Sequence, residues 1–150
     1  MRLTMLGVDL FGIALKGKTL AKPINHHWVG VKPNPKKYFG FVYLITNLNN
    51  GRMYVGKKQY HVWKKRKQDR QSDWQYYQSS SKYVKEDIKM CGAKTFEFKI
   101  LKNYKTRGGL VYGEANTQHK RDVLTKRLDE DFRLYYNAQI AGIKFIPKEH

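Results

Sequence analysis

Cysteine occurs once in the 150 residues, at Cys91, which excludes an internal disulfide framework and any multi-cysteine zinc site, and fits a reducing compartment. Cys91 is read as a small core residue. No apolar run approaches the roughly eighteen residues of a membrane-spanning helix. The apolar stretch MLGVDLFGIAL is broken by Asp9 and lacks a small-residue cleavage site, so the expectation is a soluble, cytoplasmic protein with no membrane partner. Acidic residues are also scarce: twelve Asp and Glu stand against thirty Lys and Arg, a formal charge of +18. That imbalance favours a polyanionic partner and salt-dependent binding. Residues 1–68 hold fourteen basic residues against Asp9 alone, a net +13, whereas residues 69–150 hold sixteen basic and eleven acidic, a net +5. Sign alone does not separate nucleic acid from anionic lipid or an acidic protein. With 41% hydrophobic residues, the chain can bury one modest core, so one domain with extensions is expected.

The strongest local pattern is a pair of β-branched and aromatic runs, FVYLIT and RMYVG, on either side of Asn49-Asn50-Gly51. An Asn-Gly step between such runs specifies a tight hairpin, with strands at 41–46 and 52–56. Each strand carries one tyrosine, Tyr43 and Tyr54. The second strand runs into Gly56-Lys57-Lys58, where backbone can approach a ligand closely and two cations stand ready for phosphate.

Before the hairpin, residues 1–37 form a basic extension punctuated by Pro23, Pro33 and Pro35. Leu10, Phe11 and Leu15 are expected to pack on the domain. Lys16, Lys18, Lys22, Lys32, Lys36 and Lys37 either solvate a linker or add nucleic-acid contacts. His26 and His27 are adjacent, would face opposite sides of a strand, and are discounted as joint metal ligands. After the hairpin, six basic residues from Lys57 to Lys67 alternate with Tyr60, His61 and Trp63. Cations for phosphates and rings for bases suit a nucleic-acid surface. A solvated basic helix, with Trp63 and Trp74 covering its apolar side, fits the same residues.

Further on, Ser79-Ser80-Ser81 supplies an N-cap for a helix with Val84, Ile88 and Cys91 on one face and Gly92 at its end. The free backbone donors at that N-terminus could also meet an anion. Residues 95–101 alternate as a third strand, with Phe96, Phe98 and Ile100 on one face. A helix over 110–127 follows, carrying Leu110, Glu114, Gln118 and Arg121, and the tail from Tyr135-Tyr136-Asn137 through Ile146 packs back before Pro147. The expected fold is α+β: a small three-stranded antiparallel sheet flanked by α-helices, spanning 38–146, with a short tail at 147–150.

Several of these segments, in the same order, resemble the GIY-YIG nuclease superfamily. They are FVY followed after eleven positions by YVG, the SSSKYVKEDIKMCG helix, the FEFKIL strand, a later helix with an internal glutamate, and a terminal YYN. Phe41 and Val42 replace the Gly and Ile of the first half-motif. Lys64 holds the place of the arginine that usually follows the second, and the nearest arginines are Arg66 and Arg70. The resemblance implies a metal-dependent endonuclease acting on nucleic acid, with double-stranded DNA as the expected substrate. It implies that Tyr43 positions or deprotonates the attacking water and that Tyr54 sits beside the same phosphate. A free phenol titrates near about 10, so a basic role needs nearby cations such as Lys57 and Lys58. Arg66 or Arg70 would clamp the phosphate. Glu114 would hold one Mg²⁺ or Mn²⁺. Lys57, Lys64, Lys65, Lys67, Ser80 and Ser81 would contact nucleic acid, as would Asn137, which could instead orient Glu114. Two other functions fit the sequence: a nucleic-acid-binding protein that has lost catalysis, and a basic interaction protein in which Tyr43, Tyr54 and Glu114 share no site. No separate recognition domain is visible, so low sequence specificity or a second subunit is expected.

Overall fold

The computed structural model describes residues 27–141. Leu10, Phe11, Leu15, Lys16, Lys18, Lys22, His26 and the tail around Ile146 and Pro147 lie outside the described residues. In chain order the strands are β1 (Trp28–Gly30), β2 (Gly40–Asn47), β3 (Met53–Gln59), β4 (His61–Lys64), β5 (Lys67–Gln71) and β6 (Phe96–Tyr104), with helices α1 (Lys82–Cys91) and α2 (Arg107–Lys120). The architecture is α+β, but the sheet is not the expected three-stranded antiparallel one. Four strands run in the order β1-β6-β2-β3, with β1 parallel to β6 and the other neighbours antiparallel, while β4 and β5 form a separate hairpin.

The extra strand comes from the stretch read as an extension. Three residues are too few to show alternation, so nothing in the pattern marked it; Trp28 holds it in place. Its indole is buried, donates from Nε1 to the Trp74 carbonyl at 2.7 Å, and meets the rings of Phe41 and Phe98 edge-on. The basic stretch after the main hairpin is likewise a β-ribbon and not a helix. Lys65 and Arg66 both have positive φ, 50° and 66°, the signature of a primed two-residue turn, here without the asparagine and glycine that would announce it.

Strand β2 is central and buried on both faces. Phe41, Tyr43 and Ile45 share one core with Trp28, Trp74, Phe98 and the α1 residues Val84 and Ile88. Val42 and Leu44 enter the other with Val55, Tyr104, Tyr135 and Leu110 of α2. Helix α1 starts at the expected cap, where the Ser81 hydroxyl accepts from the Val84 N–H at 3.3 Å, and ends at Gly92. Cys91, expected in the core, is exposed; the buried contact is complete with Val84 and Ile88, and the last turn contributes nothing to it. Helix α2 starts earlier than expected because Thr106 caps it, accepting from the Gly109 N–H at 2.9 Å. It lies close against the sheet at Gly113, where a Cβ would fall 2.3 Å from the Tyr104 ring and hydroxyl.

The free edge of β3 is half covered by the chain after α2. Met53 N–H donates to the Leu134 carbonyl at 2.9 Å and Tyr136 N–H to the Met53 carbonyl at 2.7 Å. One step further, the Asn137 side chain takes over as a strand would: Oδ1 accepts from the Val55 N–H at 3.0 Å and Nδ2 donates to the Val55 carbonyl at 2.8 Å.

Two stability predictions come from these contacts. Trp28→Ala should cost about 3–5 kcal/mol, the range for emptying a large aromatic site, and truncation of residues 1–30 should do at least as much harm; urea unfolding measures both. Asn137→Ala strands the buried Val55 N–H, while the Val55 carbonyl keeps a second donor, Gln118 Nε2, at 3.1 Å. The expected loss is about 1–3 kcal/mol, read as a lower denaturant midpoint at unchanged slope.

Candidate active site

The pairing of the β3 edge with residues 134–137 stops at Val55, and the Gln59 carbonyl at the strand's end accepts from Ser72 Oγ at 2.6 Å; beside this strand a groove of about 490 Å³ is lined by Tyr54, Lys57 and Lys58. Alternation sends Tyr54 and Lys57 to opposite faces of the sheet, so the groove gathers groups from both layers. Lys57 Nζ meets Glu114 of α2, donating to Oε1 at 3.0 Å, with the carboxylate side chain 17% exposed. Tyr54 meets the loop ahead of α1, its hydroxyl 3.4 Å from Ser80 Oγ. Lys58 is held twice: its ammonium lies 2.6 Å from Asp73 Oδ1 and 3.9 Å from the centre of the Tyr77 ring.

Tyr43 is directly below. It pairs with Gly56 across β2 and β3, and its hydroxyl occupies space that any side chain at 56 would need, 2.4 Å from the position of a Cβ. The glycine of the second half-motif is therefore required by the tyrosine of the first. At 1% exposure, the Tyr43 phenol is pushed well above the ordinary tyrosine value by burial, then by the neighbouring Tyr54 and Tyr77, against a lowering hydrogen bond from Ser79. It is a neutral hydroxyl at physiological pH. The Tyr77 phenol is also raised by burial, partly offset by a hydrogen bond to Ser80.

The structure thus brings Tyr54, Lys57, Lys58, Ser80 and Glu114 to one groove, with Tyr43 beneath it. The remaining candidates lie elsewhere. Ser81 caps α1, and both ends of the buried Asn137 amide are used on Val55. Lys64, Lys65 and Lys67 are exposed on the β4–β5 ribbon, where Lys64 and Arg70 share Asp69 at 3.7 and 3.0 Å. Arg66 stands at the ribbon's turn and lines a neighbouring hollow. The guanidinium that lines the groove belongs to Arg107, at the first position of α2, accompanied by His61, Trp63 and Tyr77. Gly108 and Gly109, poor helix formers, mask Arg107's place in the helix; Thr106, a capping residue three positions before Gly109, is the signal in the sequence for the helix start.

Among the described residues no group of three or more His, Cys, Asp or Glu could hold a metal. Glu114 is the carboxylate that lines the groove. One carboxylate beside phenol and serine hydroxyls is an all-oxygen set. It suits a hard cation that keeps most of its water and takes further oxygens from a phosphate.

The family profile described as "Putative endonuclease segE, GIY-YIG domain" matches residues 25–140. The "Putative endonuclease segE" of Enterobacteria phage T4 is 31% identical over 105 residues, which is 70% of this chain and 43% of that relative. The aligned region therefore spans less than half the length of the curated relative. No solved structure matches. The profile's span takes in all six strands, both helices, the paired Tyr43 and Gly56, and the groove with Glu114, and this chain belongs to the GIY-YIG family.

Proposed function

We propose that this protein is an endonuclease that hydrolyses phosphodiester bonds in double-stranded DNA, using a divalent cation, Mg²⁺ or Mn²⁺, at Glu114. The observation that carries this reading is the meeting of one carboxylate, two phenols, Tyr54 and Tyr77, and three cations, Lys57, Lys58 and Arg107, in a single groove. Hydrolysis requires water to bond to phosphorus as the P–O bond to the leaving oxygen breaks, with negative charge building on the phosphoryl oxygens. Lys57, Lys58 and Arg107 face that charge, and the arginine's fixed fork suits two phosphate oxygens at once. The Tyr54 hydroxyl, beside Ser80 in the groove wall, orients the attacking water. Tyr43, neutral and buried, holds Tyr54 and Tyr77 in position and is not itself the base. The cation, when bound, neutralises phosphate charge and acidifies water. Lys57 holds Glu114 Oε1, so the ion would be taken by the carboxylate's remaining oxygen capacity.

That ion pair also favours a second reading, binding without cleavage, in which Lys57 keeps the carboxylate permanently closed. Nicking of supercoiled plasmid with and without Mg²⁺ separates the two. Under the nuclease reading Glu114→Gln should lower the rate by about a hundredfold or more, while metal-free DNA binding stays unchanged or tightens slightly because a negative charge near phosphate is gone. Absence of Mg²⁺-dependent nicking by the parent chain would leave binding as the function. The two tyrosines should also differ. Tyr54→Phe should cost about a hundredfold, as misplacing the attacking water does, and Tyr43→Phe clearly less; the reverse order would put the water at Tyr43.

A further inference from the structure

Beside the groove, between the approach to β2, the β4–β5 ribbon and the start of α2, lies a second hollow of about 480 Å³, lined by Phe39, Trp63, Arg66, Lys105, Thr106 and Arg107. Trp63 and Arg107 belong to both spaces. Three features set this hollow apart. Trp63 is 38% exposed, whereas Trp28 and Trp74 are buried at 7% and 3%, and its ring lies 5.6 Å from that of Phe39 at 36°. The lining is cationic and contains no carboxylate. Lys57, Lys58, Lys64 and Arg70 each face a carboxylate, but Arg66 and Arg107 have none among the described residues. An open indole that shares a hollow with two guanidinia facing no carboxylate among the described residues offers a face for a base and donors for a phosphate.

We infer that this hollow binds one unpaired nucleotide of the strand being cut, with its base against Trp63 and its phosphate between Arg66 and Arg107. The inference rests on reading the adjoining groove as the phosphodiester site, because continuity through Trp63 and Arg107 makes the two occupants neighbours on one strand. A base stacked in a duplex cannot lie on Trp63. The substrate must therefore offer an unpaired nucleotide beside the cut, or give one up by extrusion.

The test uses the full chain carrying Glu114→Gln, without metal, so that binding is read apart from cleavage. A single-stranded oligothymidylate is titrated and tryptophan emission followed; with Trp28 and Trp74 buried, the change reports on Trp63. Emission should be quenched. Trp63→Ala should weaken binding about tenfold or more, in keeping with the loss of one stacked base, and Trp63→Phe should restore most of it. Arg66→Ala, at an exposed turn, should also weaken binding, while Lys89→Ala on α1 should not. Equal affinity of Trp63→Ala and its parent overturns the inference, as does an abasic oligomer that binds as tightly as the thymidylate, since charge alone would then explain the complex. Cleavage by the wild-type chain separates this result from the nuclease reading. A chain that cuts nothing yet binds through Trp63 keeps the hollow and loses the nuclease. A chain that cuts fully paired DNA as fast as DNA with an unpaired nucleotide, and does so equally well as Trp63→Ala, keeps the nuclease and loses the hollow.

Discussion

Tyr43 and Gly56 sit opposite one another on the two strands of the main hairpin, and the phenol fills the space where a residue other than glycine would place its side chain. Most of the site follows from that contact. A ring laid over glycine brings Tyr54 and Tyr77 to 6.2 and 6.1 Å from its centre. Tyr77 in turn is the face on which Lys58 rests. The contact is also why Tyr43 is dry, and dryness keeps its proton in place. One glycine thus sets both the shape of the groove floor and the charge state of the residue forming it.

The second constraint is how the sheet is finished. With β2 buried on both sides, the edge strand β3 is where polar side chains can reach solvent while anchored in a rigid sheet, and the protein divides that edge. As far as Val55 it is paired, by backbone and then by a side-chain amide acting as backbone. Tyr54, Lys57, Lys58 and Gln59 of the same strand border the groove. Asn137 therefore stands at the boundary between scaffold and site and touches only the scaffold. The close seat of α2 at Gly113 places the next residue, Glu114, against Lys57.

Sequence patterns revealed the elements that carry their own periodicity. The Asn-Gly hairpin, the alternation of Phe96, Phe98 and Ile100, and the Ser81 cap all recur in the structure because each is a local rule obeyed locally. Three features escaped because their causes are not local. β1 exists through Trp28, whose partners lie on β2, on β6 and next to Ser72-Asp73. The β4–β5 ribbon turns at Lys65-Arg66, residues with no turn preference, held in positive φ by the strands on either side. Cys91 keeps helical spacing with Val84 and Ile88 but lies past the point where there is anything to cover it. In the site, the tyrosines, Glu114 and the Lys57-Lys58 pair could be read from the chain. The Thr106 cap could put Arg107 at the head of α2 but not in the groove, since that depends on where α2 is docked.

The bonds between Asn137 and Val55 join residues 82 positions apart in the chain. Contacts of such separation form late, after the cost of closing a long loop has been met. On the ribosome the consequence is one of timing. Both tyrosines and both lysines of the hairpin are made before Asn137, and the strand that carries three of those four gains this partner only once residue 137 has been synthesised. A chain that stops short of Asn137 holds most of the groove's chemistry and lacks part of the frame that aims it.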